Sequence, residues 1–77
     1  MLSILADVKV YVFSKSVDFR KGFEGLSCLV KQHFPGQLLS FAFFAFFNKS
    51  RCGIKVLYWD NDGLAIWYKR LEKGSFP

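Results

Sequence analysis

The chain has 77 residues, 52% of them hydrophobic and 19% aromatic with ten Phe, which excludes a disordered regulator and suits one small cored domain. Eleven Lys and Arg against six Asp and Glu leave a formal net charge of +5. That balance favours polyanions such as nucleic acid or an acidic protein surface, and it serves plain solubility equally well.

After a loose start over residues 1–7, Val8 to Phe13 (VKVYVF) combine β-branched and aromatic side chains, which predicts a first strand with Val8, Val10 and Val12 on one face. Asp18 is placed to cap a helix running to about His33, with Pro35-Gly36 ending it. Phe19, Phe23, Leu26, Leu29 and Val30 fall on one helical face, leaving Arg20, Lys21, Glu24, Ser27 and Lys31 towards water. Gly22 and Gly25 each cost ~1 kcal/mol relative to Ala inside a helix. Close approach to the sheet or to a partner is the expected compensation, in which case Gly22→Leu disrupts packing.

The run Leu38 to Phe47 (LLSFAFFAFF) is apolar at every position but Ser40. A membrane-spanning helix needs ~20 such residues, so a second strand from Leu39 to Phe47 is predicted instead, with an aggregation hazard if it is exposed. A polar loop, residues 48–53, leads to a third strand over Ile54–Trp59. Asp60-Asn61-Asp62-Gly63 reads as a tight turn with Gly63 at positive φ, and Leu64–Lys69 as the returning strand. Both faces of this hairpin carry large apolar groups. The helix is expected to cover one, and a second layer, a partner or another copy the other. The fold class expected is α+β, a single small domain over residues 1–77 in the order β-α-β-β-β, with a mainly antiparallel sheet packed on one amphipathic helix.

Cys28 and Cys52 have no second cysteine within metal-ligand spacing, and His33 is the only histidine. Neither a metal site nor another cofactor is expected. Two reduced thiols in a cytoplasmic protein are the simpler reading, with Cys28 half-buried on the helix. His33 is assigned to the helix's C-terminal dipole. Asp60 and Asp62 invite comparison with two-metal phosphoryl-transfer sites, which need further converging carboxylates. Asp18 already has a capping role and the turn accounts for the other two. No phosphate-cradling glycine loop is present and no nucleophile has an orienting acid, so no catalytic residue is assigned.

Three basic clusters remain: Arg20 and Lys21 at the helix start, Lys49 and Arg51 in the central loop, and Lys69, Arg70 and Lys73 near the end. Converging on one face, they would neutralise phosphates while Trp59, Trp67 or Tyr68, if exposed, stacks on bases. Cations at a helix start oppose the dipole, which favours a partner for Arg20 and Lys21.

Two blocks, Asp18-Phe19-Arg20-Lys21-Gly22-Phe23-Glu24-Gly25-Leu26 and Lys55-Val56-Leu57-Tyr58-Trp59-Asp60-Asn61-Asp62-Gly63, the second leading into Tyr68-Lys69-Arg70-Leu71-Glu72-Lys73-Gly74, give a resemblance from about Val8 to Phe76. By them the chain resembles the TnpB-type accessory proteins of the bacterial insertion-sequence family numbered sixty-six, which are encoded beside the transposase and are not the recombinase. The resemblance implies a non-enzymatic protein that assists transposition with the transposase and a second accessory protein, through DNA, transposase or both. An oligomerisation or protein-interaction module without DNA contact, and a degenerate element remnant, are the alternatives. Two departures stand out. Phe41 follows Ser40 where the family tends to have a small residue, usually Gly, and the family's C-terminal tail is expected to be missing after Pro77.

Overall fold

The computed structural model describes residues 9–38 and 40–77; Val8, in the predicted first strand, and Leu39, at the start of the predicted second, lie outside them. Five elements follow in the expected order: β1 (Lys9–Val12), α1 (Phe23–His33), β2 (Ala42–Phe47), β3 (Gly53–Asp60) and β4 (Gly63–Arg70). The strands form one sheet in the order β1-β2-β3-β4. β1 pairs with β2 in parallel, whereas β2–β3 and β3–β4 are antiparallel. Parallel neighbours need a crossover, and the segment containing α1 supplies it.

Register and the two-residue period of strands sort the side chains into two faces. On the helix side, Tyr11, Phe44, Leu57 and Ile66 line up across all four strands. Leu26 and Val30 of α1 close over Ala42, Phe44, Phe46 and Leu57, and all six are buried. Aromatic rings fill the β1 edge of this layer. Tyr11 stacks on Phe44 with centroids 5.5 Å apart, Phe34 lies 4.6 Å from Tyr11, and Phe13 lies 4.5 Å from Phe46. Such pairs add about 0.5–1.5 kcal/mol each beyond their burial.

Val10 and Val12 do share a face, but it is the one without a helix, and Val10 is 62% exposed. The core role on β1 falls to Tyr11 and the neighbouring Phe13.

The helix begins at Phe23, later than its predicted start, because Asp18 is engaged elsewhere. Its carboxylate accepts from Arg20, and the Lys21 N–H donates to the Asp18 carbonyl at 3.0 Å, closing a turn. Gly22 is the N-cap and no side chain caps the helix. Phe19 therefore leaves the helical face and meets Tyr68 edge-on at 5.5 Å. Phe23 is half exposed, whereas Ser27, predicted to face water, is 8% exposed.

An added Cβ at Gly22 meets nothing within 4 Å, so close approach to the sheet does not explain that glycine, and Gly22→Leu has no packing within the chain to disrupt. At Gly25 it would lie 2.9 Å from the Lys21 Cβ. Cys28 is exposed rather than half-buried. The helix ends at His33 as the sequence predicts, with Gly36 at φ 78° just beyond. In the β3–β4 turn the left-handed residue is Asn61, at φ 60°, and not Gly63. Asparagine tolerates this region because its short polar side chain bonds locally.

Candidate functional site

The two sequence blocks meet in space through a lysine. Lys55 lies on the helix-facing side of β3, in the row Phe46–Lys55–Tyr68. Its ammonium donates to the carbonyls of Phe19 at 2.7 Å and Lys21 at 3.2 Å. It also lies 5.0 Å from the Phe19 ring centre and 5.3 Å from that of Tyr68, within cation–π range. Gly53 completes the fit, because a Cβ there would sit 2.9 Å from the Phe19 ring. One charged group thus fixes the turn that carries Arg20 and Lys21.

Within that turn the Asp18 carboxylate accepts two bonds from the Arg20 Nε, at 2.9 and 3.1 Å, one from Nη2 at 2.6 Å and one from the Arg20 backbone N–H at 2.9 Å. The Arg20 side-chain bonds, then its backbone bond and the charges of Arg20 and Lys21, hold the Asp18 pKa at about 2. The carboxylate in turn raises that of Arg20. Asp18 and Arg20 form the one ion pair among the described residues.

The β2–β3 loop is tied to the chain end. The Asn48 side chain accepts from the Gly53 N–H at 3.1 Å. The hydroxyl of Ser50 and the amide of Asn48 donate to the Cys52 Sγ at 3.0 and 3.3 Å. These bonds, Ser50 first, lower the Cys52 pKa, and the Arg70 charge adds to them. Leu71 N–H donates to the Cys52 carbonyl and Phe76 N–H to that of Arg51, at 2.7 and 2.8 Å. Arg51 lies over the Phe47 ring, 4.2 Å from its centre, and donates to the carbonyls of Phe76 and Pro77.

These bonds gather the candidate cations. Arg20, Lys21, Lys49, Arg51, Lys69, Arg70 and Lys73 all lie at the end of the sheet where β2 stops, β3 starts and β4 stops. Arg51 is spent on internal contacts and Arg20 is paired. Lys21, Lys49, Lys69, Arg70 and Lys73 remain exposed. An open groove of about 760 Å³, lined by residues 16–19 and 48–50, runs between the two loops. Asp60 and Asp62 sit at the opposite end, on the β3–β4 turn, the end at which Lys9 starts β1, while Asp18 and Glu72 lie among the cations. Among the described residues no cluster of His, Cys, Asp or Glu is arranged to hold a metal ion.

Lys55 was not among the candidate cations, although the sequence carries a signal for it. It alternates with Leu57 on one face of β3, and a lysine on a covered face needs partners.

Two Sinorhizobium fredii proteins, y4jC and y4hO, both described as uncharacterized, resemble the chain. The first is 32% identical over 69 residues, 90% of this chain and 59% of its own length. The second is 30% identical over 76 residues, 99% of this chain and 66% of its own. The chain thus spans about 60% to two thirds of these curated relatives. No solved structure matches it. The model of the family described as "IS66 Orf2 like protein" matches residues 8–77. That match takes in both blocks and the Lys55 that joins them, and the chain belongs to the IS66 Orf2-like family.

Proposed function

We propose that the protein is a non-catalytic accessory factor in transposition of a bacterial insertion sequence, and that it contacts element DNA through the basic end of its sheet. Family membership supports the transposition-associated role. The observation that carries DNA contact is the gathering of Lys21, Lys49, Lys69, Arg70 and Lys73 at one end, away from Asp60 and Asp62. Exposed cations so grouped displace counterions from a phosphate backbone. The transposase and the second accessory protein of the same element are the protein partners in this reading, and the cytoplasm its compartment. No helix among the described residues is long and apolar enough to cross a membrane.

A second reading has its own observation. The helix-free sheet face exposes Val10 and Val12, and Phe41 beside β2 is 85% exposed, which suits a protein-interaction module. Fluorescence anisotropy with element-end and scrambled duplexes across a salt series separates the two. DNA contact predicts affinity that falls steeply with salt, and the paired change Lys69→Glu and Arg70→Glu should flatten the log–log slope by ~2 while leaving the fold intact. Absence of binding at low salt transfers the role to the protein-interaction reading.

A further inference from the structure

The helix-free face is not uniformly apolar, and the difference lies at Trp67. On this side of β4, Ala65, Trp67 and Lys69 alternate, and Trp67 stands opposite Val56, which pairs in turn with Ala45. The neighbours are small, so the indole rises above its row and is 49% exposed. Tyr58 and Phe43 on the same face pair with each other at 5.2 Å. Trp67 has no aromatic partner among the described residues.

Lys69 follows two residues on, about 7 Å along the strand. Arg70 ends the strand on its helix side, and Lys49 and Lys73 lie at the same end of the sheet. Among the described residues the one carboxylate in register on this face is Asp60 at the far tip. A half-exposed unpaired indole beside a lysine on the same face matches the chemistry of an unpaired nucleotide, whose base needs a π-face and whose phosphate needs a positive charge.

We propose that Trp67 and Lys69 form a binding site for single-stranded nucleic acid, with a base stacked on the Trp67 indole and its phosphate on Lys69. This deepens the DNA-contact reading and rests on it. Lys69 beside the indole favours an anionic occupant, and a second copy turned end for end, which would set Lys69 against Asp60, is the competing occupant that sedimentation tests.

The test is anisotropy of a labelled 20-nucleotide single strand and of the duplex of the same sequence, over a salt series, with the parent, Trp67→Ala, Trp67→Tyr and Lys69→Glu. Thermal melts establish that each variant is folded. The site predicts tighter binding of the single strand and a loss of about tenfold or more in Trp67→Ala, with the salt slope unchanged. Trp67→Tyr should retain most of the affinity, and Lys69→Glu should reduce the slope by ~0.7. Equal binding of both strand forms with Trp67→Ala silent overturns the stacking site and leaves the basic-end reading standing. Binding of neither form overturns both. A parent that sediments as a dimer, and becomes monomeric in Trp67→Ala, overturns the site in favour of contact between copies.

Discussion

Lys55 occupies a register position that a leucine would fill in an ordinary covered sheet face, and its two carbonyl acceptors explain why it is charged. Lys55→Met keeps the stem and removes the ammonium, leaving the Phe19 and Lys21 carbonyls without their donor. The loss should be about 1–2 kcal/mol, read as a lower urea midpoint at unchanged slope. A midpoint equal to the parent's would mean that the turn holds itself.

Asp18 makes a pH prediction at the same scale. Its folded pKa of about 2 lies below the ordinary 3.8, so the stabilisation from its bonds to Arg20 is present above pH 3.8 and disappears as pH falls through 2. Carboxyl NMR should place its midpoint near 2, and Arg20→Ala should return it towards the ordinary value. An exposed pair of this kind contributes little to stability, so the titration is the readout to use.

At the scale of elements, α1 and its approach show where local pattern and tertiary contact part. The spacing of Leu26, Leu29 and Val30 identified the buried face, and Pro35-Gly36 identified the stop. The helix starts later than its sequence predicts because Asp18 has two uses for its carboxylate, a helix cap or a turn closed by Arg20, and a side chain two residues away decides between them. Ser27 departs from the expected face for a related reason. The predicted start put Phe19 and Phe23 on the buried stripe, whereas the helix turns Ser27 inward in its short first turns. Its hydroxyl is buried without a partner among the described residues. Ser27→Ala removes that unmet group and improves helix propensity, so stability should rise by ~1 kcal/mol in chemical denaturation. A loss instead would show that the hydroxyl has a partner.

The sheet was more legible, because alternation fixes faces once register is known. The Asp60–Gly63 turn, the hairpin and the Phe-rich strand all follow from sequence. What sequence could not give was which face of β1 is covered, since both carry bulky residues, and the left-handed position in the turn, since both Asn61 and Gly63 can adopt it.

For the whole molecule, the distribution of charge is the property that ties fold to role. Three clusters separated in sequence meet because Phe19 lies against Gly53, Lys55 holds the first turn, and Leu71 and Phe76 bind the central loop. Sequence supplied the clusters but not their convergence, which depends on long-range pairing. It also passed over Lys55, the side chain that joins them.

This joined basic end is expected to meet nucleic acid. The most direct measurement is a two-dimensional amide NMR titration of the protein with element-end DNA in low salt. Shifts should concentrate at residues 18–22, 48–53 and 67–74 and be reversed by added salt, with Asp60–Gly63 unmoved. Shifts centred on the Asp60–Gly63 turn, or none at any residue, would contradict it.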